Sequence, residues 1–69
     1  MASNEYKGMY TVVVHFGDIP DIRCSYPMDT MAKWTKERYH QFKKKFSGIA
    51  GVDVRVMSEN WDDITYQFE

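Results

Sequence analysis

The sequence predicts an α+β domain of order ββαββ, one amphipathic helix packed on one face of a four-stranded, mainly antiparallel sheet. Three observations carry this expectation. Apolar residues alternate with polar ones over Met9–Phe16 and again over Val52–Met57, the period-two signature of half-buried strands. Between them, residues 30–46 change to the 3.6-residue period of a helix with one wet face. Turn-forming residues separate the runs at Gly17–Pro20, Ser47–Gly48 and Ser58–Trp61.

Each element follows from its residues. Met1 to Gly8 is polar and aperiodic and reads as a flexible leader, so residues 9–69 make the single domain. In the first strand Tyr10, Val12, Val14 and Phe16 share one face, and Met9, Thr11, Val13 and His15 the other. The second strand, Asp21 to Tyr26, points Ile22, Cys24 and Tyr26 inward and Arg23 and Ser25 outward, and Pro27 ends it. Asp29 suits the N-cap of a helix beginning at Thr30, because its carboxylate accepts from free N–H groups and favours the positive end of the helix dipole. The helix reaches Phe46. Met31, Thr35, Tyr39, Phe42 and Phe46 form its apolar stripe with Trp34 on the margin, opposite Lys33, Lys36, His40, Lys43 and Lys44. Gly51 opens a third strand with Val52, Val54 and Val56 inward. A fourth follows from Asp62 or Asp63, with Ile64, Tyr66 and Phe68 inward and Thr65, Gln67 and Glu69 outward. The sheet face away from the helix has no further element to cover it, and it carries Met9, Val13, His15, Arg23, Arg55 and Met57. An uncovered face on a small domain points to a homodimer.

Sixty-nine residues is near the lower limit for unaided folding, since a chain of that size buries only about 60% of its surface. Hydrophobic residues at 43% and aromatics at 16% offset this with large side chains. One cysteine, Cys24, excludes an internal disulfide and supplies no thiolate cluster for a metal. No apolar run approaches the roughly 20 residues that span a bilayer, and no signal pattern opens the chain, so the expectation is a soluble cytoplasmic protein with no membrane partner.

Charge is the most informative property. Residues 29–46 hold six positive and two negative side chains, and the rest of the chain three positive and eight negative, which yields +4 and −5 for a total of −1. A near-neutral sum hides a bipolar surface that steers association with charged partners. The expected class is a small non-catalytic interaction protein that binds and inhibits a larger one, of the kind phages and mobile elements encode. In its sharper form, an acidic surface of Asp18, Asp21, Glu59, Trp61, Asp62 and Asp63 imitates nucleic-acid phosphates and occupies a basic nucleic-acid-binding protein. Trp61, ringed by carboxylates, would be its anchor. The alternative is direct nucleic-acid binding through Lys33, Lys36, Lys43 and Lys44, with Trp34 and Tyr39 near the edge. Against it stands an isoelectric point near 6.1, low for a nucleic-acid-binding domain. A third reading, a ribonuclease centred on His15 with Asp21, Asp53 or Asp63, needs a dyad the spacing does not specify. His15 and Cys24 fall on opposite sheet faces, which disfavours a thiol–imidazole pair. No catalytic constellation, metal site or cofactor motif is expected. Asp62 and Asp63 are adjacent and match no calcium loop.

Overall fold

A computed structural model describes residues 6–29 and 31–69. Strand β1 (Met9–His15) is central. It pairs antiparallel with β2 (Ile22–Pro27) on one side and with β3 (Asp53–Met57) on the other, in the order β2-β1-β3. Helix α1 (Lys33–Lys45) crosses from β2 to β3 and covers one sheet face. The α+β class and the single packed helix are as the pattern predicts. The sheet has three strands and not four.

The core forms where the even-numbered strand residues meet the helix. Val12 and Val14 of β1 and Val54 and Val56 of β3 are buried with Tyr39 and Phe42 of α1. Phe16 meets Phe46 edge-on at 5.3 Å and closes one end. Valine suits these positions because its branched side chain is already restricted and packs flat on a pleated sheet. The helix is shorter at its start than its sequence suggests. Asp29 does not cap it. Its Oδ1 accepts from the N–H groups of Met31 and Ala32, forming a tight turn before the helix. Ala32 then enters α1 in the left-handed region, at φ 47°. Thr30 lies outside the described residues. Met31, expected in the apolar stripe, precedes the helix and is 79% exposed. The predicted stop holds, with Gly48 in the left-handed conformation that ends helices.

The missing fourth strand is replaced by a single 3₁₀ turn, Thr65–Gln67. Asp63 causes the change. Its Oδ1 accepts from both the N–H (3.0 Å) and the hydroxyl (2.6 Å) of Thr65, which bends the chain after one bridge between Met57 and Asp63. A 3₁₀ turn repeats every three residues, so Thr65 and Phe68 share a face. Thr65 and Phe68 are accordingly buried and Tyr66 is exposed, the reverse of the strand expectation at 65 and 66. The segment still covers the outer edge of β3 at its C-terminal end. Val56 N–H donates to Thr65 Oγ1 at 2.9 Å, Ile64 N–H to Val56 O, and Ser58 N–H to Asp62 O.

Asp63 also accepts from Arg55, Nη2 to Oδ2 at 2.7 Å. The Thr65 hydroxyl first, then the Thr65 N–H and Arg55, lower its pKa to about 2. A carboxylate depressed in the folded state stabilises above its unfolded value and loses that contribution as pH falls toward 2. With the carboxylate 41% exposed, solvent screening leaves about 1 kcal/mol at neutral pH. Asp63→Asn should therefore lower the urea midpoint at pH 7, with a gap to the wild type that narrows between pH 4 and pH 2.5. A gap independent of pH would show that the charge contributes nothing.

The face away from the helix is not bare. Thr11 and Val13 point to it and are nonetheless buried. Tyr6 and Trp61 fold over it, their rings 4.7 Å apart, and Arg23 joins both: Nη1 donates to Tyr6 Oη at 2.9 Å and the guanidinium sits 5.3 Å from the Trp61 ring. Gly8 N–H donates to Glu59 Oε1, and Met28 N–H to Gly8 O. Tyr6 to Gly8, expected in the leader, thus belong to the folded unit. Residues 1–5 lie outside the described ones.

Candidate functional site

The helix repeat decides which charges reach solvent. Starting from Lys33, steps of 100° place Lys36, His40 and Lys44 in one outward stripe, with Lys43 at one margin and Glu37 at the other, on the flank that faces β2. All are exposed. Lys33 to Lys44 spans about 16 Å along the axis at ~1.5 Å per residue. Among the described residues, no carboxylate comes within ion-pair distance of any of these four lysines. Arg38 is different. Its Nε donates to Tyr26 Oη at 2.8 Å on the β2 side, and that bond holds its pKa above the usual value. A shallow open hollow follows the stripe, walled by Lys33, Lys36 and Lys44 with Met31, Glu37, His40 and Gln41.

The acidic residues fare otherwise. Val14 pairs with Ile22 and Thr11 with Met57, so Asp18 and Asp21 lie past one end of the sheet and Glu59, Trp61, Asp62 and Asp63 past the other. Asp21, Glu59 and Asp63 have partners within the fold. Asp21 Oδ1 sits 2.7 Å from His15 Nδ1, Glu59 holds Gly8 N–H, and Asp63 holds Thr65 and Arg55. Asp18 and Asp62 are exposed, and among the described residues neither carboxylate has a hydrogen bond. The set is not one surface.

No protein-family model, curated protein or solved structure matches this chain.

His15 takes Asp21 as its partner, out of the three aspartates its strand face offered. The pair is an exposed hydrogen bond at the mouth of the β1–β2 turn, with side chains 54% and 29% exposed. Cys24 leans toward the core on the other face. Among the described residues no three His, Cys, Asp or Glu side chains converge on a metal-sized space, and no helix is long and apolar enough to cross a membrane. Sequence reasoning placed Arg23 on this face and missed Tyr6, which with Arg23 and Trp61 builds the cover of the second sheet face. The available signal was the parity of Arg23 beside Val13: a long cation next to a buried valine needs an aromatic or a carboxylate nearby.

Proposed function

We propose that this is a non-catalytic interaction protein whose docking surface is the lysine face of α1 and whose partner is a nucleic-acid backbone. The observation that supports it most is the contrast in engagement. Lys33, Lys36, Lys43 and Lys44 form no ion pair among the described residues, while Asp21, Asp53, Glu59 and Asp63 each have a partner within the fold. Uncompensated lysines in a row recognise spaced phosphates through charge and counterion release, without a base-specific code. The low isoelectric point does not oppose this geometry. Acidic sheet ends are repelled by a polyanion, so the molecule approaches with its helix first. Four phosphate contacts give a slope of log K against log salt of about −3 to −4, or roughly 10²-fold weaker binding between 50 and 200 mM salt. Electrophoretic mobility shift with a random-sequence duplex across that range tests it. A flat response, or no shift at the lowest salt, would refute the reading.

A second reading keeps the acidic competitor. Its support is Trp61, 39% exposed at φ 64° beside the free Asp62 carboxylate. There a basic protein would be the partner. Asp63 is unsuitable as a probe because it holds Thr65, so Asp62→Lys alone should weaken capture of that partner with folding intact. Unchanged capture would remove the acidic end from consideration.

A further inference from the structure

We propose that the outer edge of β2 is a homodimer interface, where two copies join their sheets into one of six strands around a two-fold axis at Cys24. The two edges of the sheet differ. The β3 edge is covered at Val56 to Ser58 by residues 62–65, whereas among the described residues nothing pairs with β2 on its far side. An open edge exposes a row of N–H and C=O groups that another strand can take. Two of the large exposed apolar side chains flank this edge on the helix side. Ile22 is 41% exposed and Trp34 62%, Trp34 beside a hollow shared with Tyr26 and Arg38.

The pattern of β2 identifies a second copy as the occupant. A two-fold axis perpendicular to the sheet keeps faces matched, so residues of equal parity oppose one another. Centred on Cys24, the sequence Ile22-Arg23-Cys24-Ser25-Tyr26 reads the same in kind in both directions. Ile22 meets the partner's Tyr26, and Arg23 meets the partner's Ser25. Centring on Arg23 would oppose two cations directly, which is destabilising. Centring on Ser25 would draw Pro27, which has no donor, into the ladder opposite Arg23. The helices agree with the same axis. Arg38 bonds Tyr26 at one end of β2, and Phe46 packs on Phe16 at the other, so α1 runs antiparallel to β2. Glu37, the one carboxylate in α1, lies on the flank toward Tyr26 and Trp34, so the two-fold would set it opposite the last turn of the second helix, where Lys45 is on the same flank. Charge complementarity therefore falls where the two-fold requires it.

The geometry leaves both lysine stripes facing the same way on one side of the joined sheet. The interface is nonetheless independent of what those lysines bind, because its test contains no nucleic acid. Light scattering on the purified full chain should give twice the 8.2 kDa chain mass. Opposed strand residues lie about 4.5–5.5 Å apart between Cα atoms, inside disulfide range. Mild oxidation should then link the native dimer through Cys24, while Cys24→Ser keeps the dimer mass and loses the link. Trp34→Glu should raise the dimer dissociation constant about 30-fold or more, with an unchanged far-UV circular dichroism spectrum. A wild-type chain that stays monomeric overturns the proposal. So does a dimer that survives Trp34→Glu and fails to link at Cys24, since that dimer would use another surface.

Discussion

Replacing Lys33, Lys36, Lys43 and Lys44 with alanine is expected to abolish the salt-sensitive shift of nucleic acid and leave the fold intact. All four are exposed, and among the described residues none makes an internal ion pair. Alanine is also the best helix former, so α1 loses no intrinsic propensity. Each phosphate contact removed should lower the salt slope by about 0.9 on duplex and 0.7 on a single strand. Single substitutions at Lys33, Lys36 and Lys44 should then act almost equally, the behaviour of backbone contacts and not of a base-reading residue. The control is Lys7, outside α1, whose replacement should leave the slope unchanged. If the fourfold variant binds with the wild-type slope, the helix face is not the site.

Phe68→Ala is expected to unfold the domain. Phe68 is 5% exposed and meets the Tyr10 ring edge-on at 5.6 Å. Truncating a buried phenylalanine costs about 3–5 kcal/mol. A core of this size rarely supplies more than about 3–5 kcal/mol in total, so the thermal transition should vanish from circular dichroism. Tyr66→Ala is the informative companion. A fourth strand would bury Tyr66 and Phe68 together, whereas the 3₁₀ turn leaves Tyr66 72% exposed, and its loss should fall within about 0.5 kcal/mol. Equal destabilisation by both would contradict the turn.

That pair of residues also shows why part of the fold was legible and part was not. The strands around Val12, Val14, Val54 and Val56 read correctly because alternation over five or more residues with β-branched side chains admits one period. Ile64, Tyr66 and Phe68 alternate as well, but three positions fit period two and, through Thr65 and Phe68, period three equally. Asp63 followed two residues later by Thr65 was the deciding signal: a carboxylate at that offset competes with the ladder for the backbone. The same kind of local competition displaced the helix start, where Asp29 formed a turn of its own. For the site, the lysine stripe followed from the helix repeat alone. The fate of the carboxylates did not. Counting them gave the acidic balance, but only side-chain contacts showed which of them have partners within the fold. Tyr6 had no periodicity to betray that it lies on Trp61.

The hydroxyl of Thr65 on Val56 N–H has a consequence for how many copies can associate. Strand-to-strand addition needs a donor and acceptor row on each side if it is to continue, as it does in fibres. Here a side chain and a bent backbone occupy the β3 row at Val56 and Ser58, so a chain joined along β2 would present a second border that is covered over that stretch. On the proposed β2 interface, this cover limits growth beyond a pair. One threonine and the turn that aims it cover this part of the border, and Thr65→Ala would free the Val56 N–H while Ile64 N–H still holds Val56 O.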